Sequence, residues 1–329
     1  MSPFFTSVIG QAPAIEFLTQ AVNRQRIAPA YLFVGPPGVG RSLTAHCFIA
    51  QIFCTNVAPD KQQQIKQRLQ LGNHPDVLWV QPTYLHQGQR LTALEAAAAG
   101  VKRKAPPIIR TEQIREISQF LSRFPLEAPR NIVVIEQAET MAEAAANALL
   151  KTLEEPGLAT IILIAPAVES LLPTLVSRCQ RIPFYRLDRD QMARVLQQTG
   201  HEEILQTSPV VLAIAQGSPG EAIAGTQQLQ TIPTELLKAI AYPPQSLHSA
   251  LELARQIDKT LDTEAQLWLL DYLQYCYWQH FLAGELQNSP LPPLEQAKKY
   301  LSSYVQPRLV WEVTLLEISQ LQPKHVSVN

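Results

Sequence analysis

Ala30-Tyr31-Leu32-Phe33-Val34 runs directly into Gly35-Pro36-Pro37-Gly38-Val39-Gly40-Arg41-Ser42, so the chain reads AYLFV followed by GPPGVGRS. The first five residues are a short apolar run, which predicts a strand. From Ser42 to Cys54 the apolar positions fall at helical spacing. A strand, a glycine-rich turn and a helix, with glycines spaced G-x-x-x-x-G, form the setting of a phosphate-binding loop. Glycines let successive N–H groups turn inward around an anion, and the helix N-terminus adds a favourable dipole. The same glycines would also serve a turn that merely starts a helix.

Arg41 stands where that loop normally carries lysine. Lysine is a compact point charge, whereas guanidinium is larger, planar and forked, so Arg41 cannot reproduce the same phosphate geometry. A second apolar run, Ile132 to Ile135, leads into Glu136-Gln137-Ala138-Glu139. An ATP-hydrolysing P-loop protein has Asp-Glu here, the Asp holding the Mg²⁺ shell and the Glu orienting water. Glu136 is one methylene longer than Asp, and the Gln137 amide cannot accept a proton at neutral pH. Losing a positioned base alone costs roughly 10²–10⁴ in rate. Three altered positions together predict a loop of Gly35, Gly38, Gly40, Arg41 and Ser42 that does not support hydrolysis. ATP or ADP binding at this loop is expected to be weak or absent, and no cofactor to be required.

Outward from the loop, further strands are predicted at Val77–Val80 and Thr160–Ile164, separated by helical patterns such as Ala14–Arg24. Strands alternating with helices predict a parallel α/β sheet with crossover connections. Between 85 and 107 the pattern weakens into an alanine run, Lys102-Arg103-Lys104 and a proline pair, and an insertion or surface loop is expected there. A solvated charge run is the simpler reading of that basic cluster. After Tyr185 strand signals cease. Helices are predicted at Asp188–Gln198 and Pro209–Ala215, followed by continuous helix from about Leu229. The expected organisation is an α/β domain over 1–183, a small helical lid over 184–227 and an all-α domain over 228–329. The aromatics Trp268, Tyr272, Tyr275, Tyr277, Trp278 and Phe281 lack interleaved Lys or Arg, so a packed core is expected rather than a base-stacking surface.

The 329 residues carry a net charge of −1, which gives the whole molecule no reason to coat nucleic acid or an anionic membrane. No apolar stretch is long enough to span a bilayer. MSPFFTSVIG lacks the features of a secretory signal. Cys47, Cys54, Cys179 and Cys276 are scattered without a disulfide-like spacing, and a reduced cytoplasmic setting is expected.

Four stretches carry a more specific likeness. Asn147 to Pro156 reads NALLKTLEEP, and Leu172 to Gln180 reads LPTLVSRCQ. Ile109 to Arg115 reads IRTEQIR, and Ile9-Gly10-Gln11 pairs with Pro29-Ala30-Tyr31-Leu32-Phe33. In this order they resemble the bacterial DNA polymerase III clamp-loader subunits of the AAA+ family. The resemblance covers most of residues 8–185; beyond that it extends only to length and helical character. Pro29 stands where the family usually has histidine.

What the resemblance implies is an AAA+ domain followed by a helical lid and a helical collar in a five-subunit ring. Its implied partners are the tau/gamma ATPase subunits and the delta subunit, with the sliding clamp and primer–template DNA in the assembled complex. The altered loop makes the chain most like the branch of the family that has lost catalysis. In that family the arginine of Ser-Arg-Cys, here Arg178, reaches into the neighbouring subunit's ATP site. Alone, Arg178 would read as an ordinary arginine at a helix end. Family members commonly hold zinc through four cysteines after the loop helix. Only Cys54 lies in that region, so no zinc is expected. Glu221, after Gly217-Ser218-Pro219-Gly220, stands where active members often carry arginine, and Ala165-Pro166 lacks the usual sensor hydroxyl or amide. The competing readings are an active ATPase or helicase motor, a pure scaffold in which Arg178 only packs, and, more remotely, a small-molecule enzyme.

Overall fold

The computed structural model describes residues 3–101, 106–155, 157–303 and 305–321. These separate by packing into two compact units, 1–195 and 196–329. In the first, a five-stranded sheet has the order β2-β5-β6-β1-β7. Its strands are β1 (Ala30–Val34), β2 (Val77–Val80), β5 (Asn131–Ile135), β6 (Ala159–Ala165) and β7 (Gln180–Pro183), and every neighbouring pair is parallel. A separate hairpin joins β3 (Tyr84–His86) to β4 (Gln89–Leu91). Helices α1 (Ala12–Asn23), α2 (Arg41–Cys54), α3 (Pro59–Gln70), α4 (Ala93–Ala98), α5 (Thr111–Leu121), α6 (Glu143–Glu154), α7 (Pro173–Val176) and α8 (Arg189–Gln198) complete the order.

The central strands NIVVI and ATIILIA are buried at every residue, because helices cover both faces of the sheet. Side-chain alternation divides them between two cores. Tyr31, Phe33, Ile132, Val134, Ile162 and Ile164 pack with α1 and α2, where the Tyr31 and Phe48 rings meet edge to face at 5.2 Å. Leu32, Val133, Ile135, Ile161 and Leu163 face the other way, onto α5, α6 and α7.

The second unit is helical. It contains α9 (Ile204–Thr207), α10 (Pro209–Ala215), α11 (Pro219–Thr231), α12 (Thr234–Ile240), α13 (Leu247–Thr260), α14 (Thr263–Leu282), α15 (Leu291–Ser302) and α16 (Pro307–Ser319). Trp311 is fully buried, and its indole N–H donates to Gln266 Oε1 at 2.8 Å. The buried Tyr277 hydroxyl donates to the Ile240 carbonyl at 2.9 Å. Trp268 and Tyr272 stack against this core, so at these positions the aromatics pack rather than present a base-binding face.

Two sequence expectations need correction. The 85–107 stretch is not simply a loop: it holds all of the β3–β4 hairpin but Tyr84, and α4, at whose start Thr92 and Glu95 form a capping box. Lys102-Arg103-Lys104 lie outside the described residues. β7 was not anticipated; only Ile182 of its four residues is buried, as suits an edge strand. By packing, the division falls at 195–196, and the helices from 196 onward belong to one unit with α12–α16.

Candidate functional site

The glycine-rich loop leaves the C-terminal end of β1, between β6 and β7, and feeds α2. Gly35 has φ +153°, and a Cβ there would stand 2.3 Å from the Phe184 carbonyl oxygen. Glycine is required because the loop backbone presses against the chain leaving β7. Gly35→Ala should therefore cost on the order of 1–3 kcal/mol, read as a lower urea midpoint for this unit. An unchanged midpoint would show that the loop can move aside. Gly38 (φ +73°) and Gly40 (φ +100°) also occupy left-handed backbone, and a Cβ on Gly40 would meet nothing within 4 Å. Gly35, Gly38 and Gly40 thus all stand at positive φ, backbone that glycine is free to adopt.

Gln11 fastens it. This fully buried amide donates to the Val39 carbonyl at 3.2 Å and to the Tyr185 carbonyl at 2.8 Å, and it accepts from the Tyr185 N–H at 3.1 Å. One side chain thus ties the loop to the strand exit beside it.

The cation of the loop is turned to the protein itself. The Arg41 guanidinium donates from Nη1 to the Ala165 carbonyl at the end of β6. That same carbonyl accepts the Gly35 N–H at 3.3 Å. Glu139 lies near enough for the Arg41 charge to act on its carboxyl, although burial dominates and pushes its pKa up. One Glu139 oxygen is buried without a hydrogen-bond partner among the described residues.

Glu136 directly follows β5, its N–H donating to the Val80 carbonyl at 2.9 Å. Gln137 follows in left-handed backbone at φ +48°, and Thr140 donates back to its carbonyl at 2.7 Å. His46 on α2 stacks on Trp79 with ring centroids 4.1 Å apart. Burial lowers the His46 pKa and the Glu136 charge opposes that shift. The structure thus gathers Gly35–Ser42 and Glu136–Glu139 along one edge of the sheet.

Arg178 has a different setting. It is exposed just beyond α7 and donates from Nη1 to the Thr174 carbonyl at 2.9 Å. Its Nη2 pairs with Glu154 Oε1 at 2.7 Å, at the C-terminal end of α6. The two motifs singled out in the sequence, NALLKTLEEP and SRC, are joined by this ion pair.

Comparison with known proteins gives the lineage. The family described as "DNA polymerase III, delta subunit" matches residues 10–188, more than half of the chain. The chain belongs to the DNA polymerase III delta/delta-prime subunit family. A second description, "Cyanobacterial DNA polymerase III delta prime, C-terminal domain", matches residues 190–318 of this delta-prime-family chain. It is 31% identical over 180 residues to the DNA polymerase III subunit delta' of Bacillus subtilis, covering 54% of the chain and 48% of that protein. The delta' subunit of Pseudomonas aeruginosa is also 31% identical, over 61% of the chain and 56% of its own length. The matches thus span about half the length of these relatives. A DNA polymerase III gamma subunit-related protein of Thermotoga maritima superposes over 93% of the chain at 16% identity, with a TM-score of 0.45.

Within this delta-prime-family chain, sequence reasoning missed Gln11 as the loop's fastener and Glu139 as the half-buried carboxylate on which the Arg41 charge acts. Gln11 had entered only as part of a motif; a polar residue at the mouth of an apolar helix was the available signal.

Proposed function

We propose that the chain is the ATPase-silent, delta-prime subunit of a bacterial clamp loader. In this reading it occupies a ring with tau/gamma ATPase subunits and a delta subunit, and helps place a sliding clamp on primed DNA in the cytoplasm. It lends Arg178 to the ATP site of a neighbouring ATPase subunit. The observation that carries the reading is the contrast between two arginines. Arg41, in the loop, is spent on the chain's own Ala165 carbonyl. Arg178 is exposed, and among the described residues it is held by the Thr174 carbonyl and the exposed Glu154 carboxylate.

The chemistry follows from those settings. With Gln137 in place of a carboxylate the loop lacks the base for hydrolysis, and Arg41 is turned onto the Ala165 carbonyl rather than standing as the usual lysine does. No nucleotide or zinc is required. Arg178 can act elsewhere at low cost, because an exposed ion pair is worth about 0–1 kcal/mol. Exchanging the Glu154 carboxylate for a γ-phosphate of a neighbour keeps the guanidinium paired and lets it stabilise charge that develops during transfer.

The test is DNA-stimulated ATP turnover by the reconstituted loader with and without this chain, and by the chain alone. The proposal expects no turnover from the isolated chain and a marked fall when it is omitted. Turnover by the isolated chain would overturn the silent reading.

A further inference from the structure

Two buried oxygens of the first unit have no hydrogen-bond partner among the described residues, and their side chains line one cleft. They are the Thr19 hydroxyl on α1 and the Gln51 side-chain carbonyl, Oε1, on α2. Gln51 is only 4% exposed. The cleft, between α1, the C-terminal end of α2 and Pro3–Phe4, has a volume of about 660 Å³, within the range of small-molecule sites. Gln51 lies ten residues along α2 from Arg41, a helical rise of about 15 Å. The cleft is therefore separate from the glycine-rich loop.

Local structure accounts for neither oxygen. A helical threonine can donate to the carbonyl four residues back, and Thr44 and Thr55 do so, to Gly40 at 2.8 Å and to Gln51 at 2.6 Å. Thr19 makes no such bond. Leaving a buried polar atom unpaired costs free energy, and a group entering the cleft would satisfy both.

The lining selects that group. Gln51 Oε1 only accepts, and the Thr19 hydroxyl can accept. Glu16, one turn before Thr19, adds an exposed carboxylate, to which Gln20 donates at 3.1 Å. No described residue lining the cleft is basic. Lys66 stands over the Phe4 ring at 4.8 Å, but it lines a neighbouring cleft with Ser7 and Cys47. Phe4 and Ile15 supply an apolar wall. Acceptor oxygens, one negative charge and an apolar wall fit a donor-rich cationic head on an aliphatic stem.

We infer that the α1–α2 cleft binds an alkylammonium or alkylguanidinium cation, its head on Gln51 Oε1 and Thr19 Oγ1 and its stem along Phe4 and Ile15. Such a cation comes from a basic side chain of a protein partner or as a free aliphatic amine. A phosphate or carboxylate ligand would meet the repulsion of Glu16 instead. The inference does not depend on the reading of Arg178.

The experiment titrates the full chain with butylguanidinium and follows the backbone amides of α1 and α2 and the Gln51 side-chain amide by NMR. Butanol, which has the stem without the charge, and butyrate, which has the opposite charge, are the controls. Butylguanidinium should give a saturating shift at millimolar concentration and the controls none. Gln51→Leu and Thr19→Val should each weaken binding about tenfold, the loss of one charge-assisted bond. Both variants should unfold in urea at or above the wild-type midpoint, since each removes an unpaired polar atom from the interior. Glu16→Gln, which changes only an exposed group, should weaken binding about threefold. If the buried variants unfold early, this one carries the test, and wild-type affinity in Glu16→Gln overturns the cation. A shift that butanol reproduces, or that persists unchanged in Gln51→Leu, overturns the site. So does the lack of any saturating shift, which would leave ordered water as the partner of both oxygens. Two further probes identify the source. A capped Gly-Arg-Gly tripeptide that binds at least as tightly as butylguanidinium assigns the cleft to a partner's side chain. Binding of putrescine with exclusion of the tripeptide assigns it to a free amine.

Discussion

Replacing Arg178 by alanine in a reconstituted loader should lower DNA-stimulated ATP turnover by at least tenfold without preventing assembly. The magnitude follows from what a guanidinium supplied across an interface does. In other NTPases such a group is worth roughly 10³–10⁵ in kcat, and other subunits' sites that do not face this chain dilute the effect in a whole-ring measurement. Folding is not at stake, because the residue is exposed and its ion pair with Glu154 contributes about 0–1 kcal/mol. Arg178→Lys separates charge from shape: lysine keeps the positive charge but not the forked donor pair, so recovery should be partial. Glu154→Ala should leave turnover within a few-fold of wild type, since that carboxylate only parks the guanidinium. Unchanged turnover with Arg178→Ala would make the chain a scaffold.

The largest expected effect on stability comes from Asp76→Ala. The substitution leaves the N–H groups of Leu126, Glu127 and Ala128 without their acceptor. Net losses per charge-assisted bond run to about 1.5–3 kcal/mol. Water can reach part of this loop, and the buried carboxylate's own desolvation is relieved, so about 2–4 kcal/mol overall is expected. Asp76→Asn retains a carbonyl oxygen that can accept two of the three bonds and should lose less. The measurement is urea unfolding followed through Trp79, the single tryptophan of the first unit. Amide exchange at 126–128 should quicken in step. Unfolding at the wild-type midpoint would mean that the loop is held by other contacts.

Much of the fold could be read from local pattern, and the residues show why. β1 and β2 were bounded correctly, because short apolar runs flanked by turn residues leave little choice of register. The hairpin at 84–91 was missed because Gln87 and Gly88 form its turn, both at positive φ, and glutamine is not the residue that advertises such a turn. Polar Gln-Arg at the start of β7 hid an edge strand whose partner is needed on one side only. At the candidate site, Gly35–Ser42 and Glu136-Gln137 could be picked out by residue type alone, and the structure places them just beyond the C-terminal ends of β1 and β5. The contact of Arg41 with Ala165 spans 124 positions, and no local pattern encodes a pairing that exists only once β1 and β6 lie side by side. The same applies to the Glu154–Arg178 pair, although both of its motifs had been recognised.

The Arg41 contact has a consequence for movement. A ligand can shift a conformational equilibrium only through a difference in its affinity for the two states. Where a loop cation waits for a phosphate, arrival and departure of that phosphate provide the difference, and the sheet edge can follow each cycle. Here the guanidinium rests on the Ala165 carbonyl at the end of β6, so a phosphate must first compete with a bond inside the chain, and the difference left to drive movement is smaller by that bond.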